Sequence, residues 1–154
     1  MKYMSVLIKH HAGPTGGVLI CKNADGVWQF PCDRIRTNES YRDAIERIAW
    51  EQVGIKAAAG DRIMIGRKLI ENGIVEHLAE GNITHNTHDK HTYHNYFSAV
   101  NKWQYEPKSD IFTEFKWVHP SELGEYEFAG DDKNFMAKYD PYINARFIPD
   151  VRMY

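Results

Sequence analysis

Three charged residues recur at four-residue intervals near the middle of the chain: Asp43, Arg47 and Glu51. On a helix this spacing aligns their side chains along one face, where they can form a series of ion pairs. Carboxylates in such an array can also bind a hard divalent cation, because cations of this kind prefer anionic oxygen ligands. The next residue, Gln52, supplies only a neutral amide oxygen. Glu51 is therefore either a metal ligand or the ion-pair partner of Arg47 on a solvated helix face.

A helix is needed to hold these residues, and the sequence predicts one that begins near Asn38 and ends at Gly54. Asn38 or Thr37 suits the N-cap, and glycine is a common helix stop. Glu39 is then expected in the first turn, where the helix dipole favours an anion. The apolar positions would bury against a sheet. They are Tyr41, Ala44, Ile45, Ile48, Ala49 and Ile55.

The rest of the chain reads mainly as strands, from its branched apolar and aromatic runs and its turn residues. The predicted strands cover residues 3–8, 17–22, 27–30, 62–71, 74–78, 92–100 and 112–118. Between 27–30 and the helix a short polar loop is expected, and Asn72-Gly73 signals a hairpin. A helical turn is predicted from Pro120, and residues 131–145 can form a terminal helix that Pro141 would kink. These elements predict a mixed sheet flanked by two helices.

Length and composition set limits on the kind of protein. The 154 residues fit one domain, and 43% hydrophobic with 26% charged residues is ordinary globular usage. A net charge of -2 argues against a dedicated binder of nucleic acid or of anionic membranes. Cys21 and Cys32 form no framework, which favours a reduced cytoplasm. The N-terminal apolar run is too short for a signal or membrane segment. The oligomeric state stays open, with a homodimer as one option.

Residues 28–55 resemble the signature of the Nudix hydrolase superfamily (MutT-like), G-x5-E-x7-R-E-U-x-E-E-x-G-U with U apolar. The matching residues are Glu39, Arg47, Ala49, Glu51, Gly54 and Ile55. Three positions depart: Asp33 replaces the Gly, Ile48 the Glu after Arg, and Gln52 the second of the paired Glu residues. The signature is therefore degenerate. Residues 18–31, 114–118 and 122–123 resemble the strand and turn segments on either side of it in family members.

The resemblance implies an α+β fold, the Nudix-type α/β/α sandwich with a mixed β-sheet, as a single domain over residues 1–154. It also implies that Mg²⁺ or Mn²⁺ bridges a diphosphate and activates water. With acids missing, a single ion is expected at most. Glu51, Gln52 and Glu114 are its candidate ligands, together with a backbone carbonyl near Cys32. Glu51 and Glu114 are the candidate catalytic residues, and the alternative for Glu114 is an exposed strand carboxylate.

Residues 34–47 and the apolar residue that follows are similar to GDP-mannose mannosyl hydrolases. This similarity implies that Arg34 contacts phosphate, with Arg47 on phosphate or in support. The match fails elsewhere, since that subfamily has its metal Glu at the position of Gln52. Its Gln-His pair aligns with Ile111-Phe112. GDP-mannose activity is therefore not expected.

Four histidines, His85, His88, His91 and His94, are spaced three apart. In a strand this spacing points neighbouring imidazoles to opposite faces, so a four-histidine metal site is the less favoured alternative. We expect one or two imidazoles to face the ligand, with His94 as a candidate substrate contact. The expected function is metal-dependent hydrolysis of a nucleoside diphosphate linked to another moiety, such as a nucleotide sugar. The alternative is an inactive domain that binds a nucleotide-like ligand as a sensor or carrier.

Overall fold

The computed structural model describes residues 2–11, 16–59, 64–71, 74–78 and 93–129. Within them lie one α-helix, ten strands and a 3₁₀ helix at Pro120–Glu125. The helix, α1, spans Tyr41–Val53. The strands are β1 (Lys2–Ile8), β2 (Val18–Lys22), β3 (Trp28–Gln29), β4 (Cys32–Arg34), β5 (Lys56–Ala58), β6 (Met64–Glu71), β7 (Ile74–Leu78), β8 (Tyr93–Val100), β9 (Lys102–Gln104) and β10 (Glu114–Val118).

The strands form three sheets among the described residues. The largest is mixed, in the order β4-β1-β8-β6-β7, with β1 parallel to β8 and the other pairs antiparallel. The second is antiparallel, in the order β10-β2-β3, and β5 pairs with β9 as a short ribbon. The predicted α+β class and mixed sheet are confirmed.

The N-cap of α1 lies two residues after Asn38, the later of the two caps that the sequence suggested. The cap is Ser40, whose Oγ accepts a hydrogen bond from the Asp43 N–H at 3.0 Å. Asn38 was predicted as the cap, but it has φ 63° and lies in the turn that precedes the helix. Glu39 therefore also lies before the helix rather than in its first turn. Gly54 ends the helix at φ 66°, as predicted.

The apolar face of α1 lies in a core cluster with residues of β1, β2 and β8. Ile45, Ile48 and Ala49 are fully buried in it. The position of Ile48, where the resemblance expects a glutamate, is thus a core position in this chain. A second cluster covers the opposite faces of the sheets. Its members include Leu7, Ile20, Phe30, Phe97 and Leu123.

Sequence reasoning missed three short strands and misplaced the start of a fourth. Residues 32–34 were predicted as loop but form β4, which pairs antiparallel with β1. The ribbon strands β5 and β9 have three residues each, too few for a readable alternation. β10 begins at Glu114 rather than at residue 112. The N–H groups of Ile111 and Phe112 both donate to Ser109 Oγ, which holds this segment in a turn.

Other predictions lie outside the described residues. These are the terminal helix at 131–145, the Asn72-Gly73 turn, and His85, His88 and His91. Within the described part of the chain, no helix is both long and apolar enough to cross a membrane.

Candidate active site

Arg47 of α1 is the centre of an ion cluster. Its Nε and Nη2 donate to the two carboxylate oxygens of Glu39 at 2.7 and 3.0 Å. Its Nη1 donates to Asp33 Oδ2 at 2.9 Å. The Arg47 and Glu39 side chains are only 11% and 12% exposed. Two parallel charge-assisted hydrogen bonds between largely buried side chains make this pair a fixed part of the structure.

The same contacts shift the protonation equilibria of the pair. The hydrogen bond from Arg47 lowers the pKa of Glu39, against the opposing effect of burial. In return, the hydrogen bond to Glu39 raises the pKa of Arg47. Both groups are therefore fully charged at neutral pH. Asp43 was predicted to belong to this array, but within the described residues it is not a partner of Arg47.

The edge strand β4 presents backbone groups toward α1. Val6 N–H of β1 donates to Pro31 O at 2.8 Å, so Val6 and Pro31, the residue before β4, form a hydrogen-bonded pair. In an antiparallel ladder these pairs alternate with pairs whose peptide groups point away. Cys32 and Arg34 occupy the alternate positions, opposite Ser5 and Tyr3. Their N–H and C=O groups thus face outward from the sheet.

Two side chains of α1 bind these outward groups. Arg47 Nη2 donates to Arg34 O at 2.9 Å. Gln52 Nε2 donates to Cys32 O at 2.7 Å, and Gln52 Oε1 accepts from Cys32 N–H at 3.1 Å. The edge of the sheet is therefore covered by one charged and one neutral side chain from the same helix.

Glu51 lies between these two contacts on α1 and is 46% exposed. Its Oε2 is 3.4 Å from Arg47 Nη1, which confirms the predicted four-residue ion pair. Its Oε1 is 3.5 Å from Arg36 Nη2, and the Arg36 side chain is 61% exposed. Glu51 is thus a solvent-accessible carboxylate held loosely by two guanidinium groups.

A groove of about 660 Å³ opens beside Glu51. Its lining residues are Trp50, Glu51, Gly54, Tyr105, Glu106, Lys108, Ser109 and Asp110. The loop that forms its far wall is tied to the end of α1, since Lys108 N–H donates to Val53 O at 2.9 Å. At Gly54 a Cβ would come within 2.7 Å of Lys108 O, so the close approach requires glycine. Trp50 and Tyr105 expose their rings into this region, with centroids 6.3 Å apart.

The structure does not bring Glu114 to the α1 side of its sheet. Phe115 and Trp117 pack against the core cluster that contains the apolar face of α1. Residues alternate across a strand, and Lys116 lies over the Trp28 ring on the other face. Glu114 shares that face, with its Oε2 4.0 Å from Lys116 Nζ.

The other predicted site residues lie as follows. Arg34 is the exposed last residue of β4, and its backbone carbonyl is the one that Arg47 binds. His94 lies in β8 and pairs with Lys2 of β1 and Leu69 of β6. Glu51 and Gln52 are adjacent at the end of α1. The roles predicted for these residues stay predictions.

The described residues contain no group of three or more His, Cys, Asp or Glu side chains that could hold a divalent cation. The Gln52 amide already forms two hydrogen bonds with the Cys32 backbone. Its Nε2 donates to the Cys32 carbonyl oxygen, and its Oε1 accepts from the Cys32 N–H. Three exposed carboxylates line the groove, and of these only Glu51 is on the helix. The set does not fit a resident ion held by protein ligands only.

Sequence reasoning missed three features of the site. Asp33, at the Gly position of the signature, supplies an additional carboxylate to Arg47. Gln52 binds a backbone 20 residues away, and no residue type marks a backbone partner. Glu106 and Asp110 line the groove, although they precede the segment in which an acid was sought.

Comparison with known proteins identifies the fold family. Residues 4–139 match the family described as NUDIX domain. The chain belongs to the NUDIX domain family. Membership confirms the resemblance seen in the signature at the level of the superfamily and supports the prediction of a hydrolase. Nudix hydrolases generally use divalent metals. No curated protein matches the sequence significantly.

Several solved structures share the fold at low sequence identity. A MutT protein from Methanosarcina mazei Go1 has a TM-score of 0.66 at 19% identity, covering 91% of this chain and 92% of that one. The E. coli ORF135 protein has a TM-score of 0.67 at 18% identity, covering 94% and 89%. The E. coli dihydroneopterin triphosphate pyrophosphohydrolase has a TM-score of 0.61 at 15% identity, covering 94% and 96%. Likeness at these identities establishes the architecture.

Proposed function

We propose that this Nudix domain hydrolyses a nucleoside diphosphate linked to another moiety, with one Mg²⁺ or Mn²⁺ ion. The observation that supports this most directly is the arrangement on α1. Arg47 holds Glu39 through two hydrogen bonds, and Glu51 stands accessible one turn further on, beside an open groove.

Each part of the site has a proposed role. Arg34 and Arg36 are exposed guanidinium groups that suit a diphosphate, because the planar fork of Arg matches phosphate oxygens. Glu51 contacts the ion, which when bound neutralises phosphate charge and activates water. Arg47 supports Glu51. The exposed rings of Trp50 and Tyr105 offer stacking surfaces to the organic part of the ligand.

Gln52, Glu114 and His94 are the further candidates. Gln52 could ligate the ion only by giving up a bond to Cys32, and Glu114 would have to act from the far face of β10. Neither limitation affects Glu51. The proposal therefore depends on Glu51 as the principal protein ligand, with the remaining ligands supplied by phosphate oxygens and water, as is usual for Mg²⁺ in phosphate sites.

A second candidate function is ligand binding without turnover, as a sensor or carrier. Two observations favour it specifically. Ile48 is buried in the core, and the Gln52 amide is held by Cys32. Both positions belong to acidic residues in the signature, so the chain has fewer carboxylates for catalysis than the family pattern.

A substrate panel separates the two candidates. Nucleotide sugars, ADP-ribose and nucleoside triphosphates would be incubated with the protein and Mg²⁺ or Mn²⁺, and phosphate-containing products would be quantified. The triphosphates belong in the panel because one fold relative is named a triphosphate pyrophosphohydrolase. Metal-dependent product formation that Glu51→Gln abolishes supports the enzyme. Thermal stabilisation by a panel member without any product supports the binding domain.

A further inference from the structure

Gln52 makes a two-point contact with the backbone of β4. Its Nε2 donates to the Cys32 carbonyl at 2.7 Å, and its Oε1 accepts from the Cys32 N–H at 3.1 Å. The N–H and C=O of one residue can be bound together only by a group that is both donor and acceptor. The contact is partly buried, because Gln52 and Cys32 are each shielded from solvent to an intermediate degree.

A carboxylate at position 52 could not make the same contact. It would accept from the Cys32 N–H, but its second oxygen would face the Cys32 carbonyl oxygen, and a carboxylate has no donor. Two acceptors about 3 Å apart repel unless a proton or a cation lies between them. The amide NH₂ of Gln52 supplies the positive end of a dipole at that place without any ion.

The neighbouring charges also disfavour a cation in the ligand-free protein. Glu51 is 3.4 Å from Arg47 Nη1 and 3.5 Å from Arg36 Nη2. A divalent ion that binds Glu51 would lie close to both guanidinium groups and be repelled by them. The Cys32 carbonyl oxygen, the candidate backbone ligand, already accepts from Gln52.

We propose that the Gln52 amide takes the place of a divalent cation between α1 and β4, so that the ligand-free protein holds no divalent ion there. Any ion that the protein uses must then arrive with its anionic ligand. The inference rests on the proposed function only in taking this end of α1 as the site, and its tests need neither substrate nor turnover.

The test is thermal unfolding of the wild-type protein, Gln52→Glu and Gln104→Glu, each without divalent ions and with Mg²⁺ or Mn²⁺. Gln104 is exposed on β9, and Gln104→Glu adds the same charge outside the contact between α1 and β4. Without ions, Gln52→Glu should unfold about 4–8 °C below the wild type, since it loses a hydrogen bond and gains a repulsive contact. Millimolar Mg²⁺ or Mn²⁺ should recover most of that loss. The wild type and Gln104→Glu should not respond.

Two results would overturn the proposal. One is a wild-type protein whose unfolding temperature rises with Mg²⁺ or Mn²⁺ as much as that of Gln52→Glu. The other is a Gln52→Glu protein that responds to the ions no more than Gln104→Glu does.

A measurement on the wild type alone keeps the proposal testable if Gln52→Glu does not fold. Substoichiometric Mn²⁺ broadens the NMR signals of groups near a bound ion. The Gln52 side-chain amide and the Cys32 backbone amide should keep their line widths when Mn²⁺ is added alone. Selective broadening of these two signals would show a resident ion and overturn the proposal.

Discussion

The free edge of β4 is covered by α1 at two points that use opposite chemistry. At Arg34 the helix supplies a guanidinium group that is neutralised by Glu39, Asp33 and Glu51. At Cys32 it supplies the neutral amide of Gln52. Both satisfy outward backbone groups that would otherwise form an open sheet edge. The charged contact brings a network of carboxylates with it, whereas the amide contact removes the need for any charge.

The difference separates the two halves of the Nudix signature in this chain. The first half, with Glu39 and Arg47, retains the residue types of the family and forms a half-buried ion pair. The second half keeps Glu51 but has Ile48 and Gln52 where the signature has acids, and the structure gives each of these two residues a structural contact of its own. Ile48 fills the core, and Gln52 binds the backbone. Among the described residues of α1, Glu51 is the one acid of the signature, and its side chain is 46% exposed.

The largest effect on the free energy of unfolding is expected at Ile48, because both contacts of α1 with β4 depend on the packing of this residue. Ile48 is fully buried on the inner face of α1, between Arg47 and Gln52 in sequence. Ile48→Glu would place a charge in the core and should reduce the free energy of unfolding by about 3–5 kcal/mol, enough to abolish folding of a marginal domain. Urea denaturation followed by circular dichroism measures it. The conservative Ile48→Leu should cost less than about 1.5 kcal/mol. A cost for Ile48→Glu as small as that would mean that position 48 reaches solvent.

The charged contact should show the next largest effect. Glu39→Gln removes the main partner of Arg47 and should cost about 2–4 kcal/mol at pH 7 in urea denaturation, because a largely buried guanidinium loses the nearest and best-oriented of its three counter-charges. Glu106→Gln is the matched control, since Glu106 is exposed in the groove wall. It should change the free energy of unfolding by less than about 0.5 kcal/mol.

The pH dependence of stability tests the same contact without a large structural change. The pKa of Glu39 is lower in the folded protein than in the unfolded chain. Its stabilising effect is therefore complete above the unfolded value of about 4.3, and is lost as pH falls through the lower folded value. Between about pH 5 and pH 2 the wild type should lose more stability than Glu39→Gln. Parallel losses would contradict the assignment.

One ion pair of the charged contact was readable from the sequence, whereas its shorter contacts to Glu39 and Asp33 and the whole neutral contact were not. Arg47 and Glu51 are four residues apart, and this spacing predicts their ion pair from helix geometry alone. The position of α1 and of its apolar face follows from the same periodicity. Gln52 binds backbone atoms, which every residue has, so its partner leaves no mark on the sequence. The helical periodicity also placed Ile48 on the buried face, and its full burial confirms the prediction.

The neutral contact should have a moderate effect when it is broken. Gln52→Leu keeps the size of the side chain but leaves the Cys32 N–H and C=O without this partner, so we expect a loss of about 1–3 kcal/mol in urea denaturation. Both bonds go to the backbone of residue 32, so Cys32→Ala should not change that loss. In a double-mutant cycle the coupling energy between the two substitutions should be under about 0.5 kcal/mol. A larger coupling would show that the Cys32 thiol is part of the contact. The exposed control Gln104→Leu should have little effect.

The smallest effect on stability and the largest on function are expected at the same residue. Glu51 is half exposed and its ion pairs are longer than those of Glu39, so Glu51→Gln should change the free energy of unfolding by less than about 1 kcal/mol. If Glu51 contacts the ion that accompanies a diphosphate, the same variant should lose metal-dependent turnover or metal-dependent ligand affinity by at least about 100-fold. Glu114→Gln, measured in parallel, decides whether the carboxylate on the far face of β10 contributes. A Glu51→Gln protein with unchanged metal dependence would reduce Glu51 to an ion-pair partner of Arg47 and Arg36. In that case both contacts between α1 and β4 would be structural, and the comparison between the charged and the neutral contact would concern stability alone.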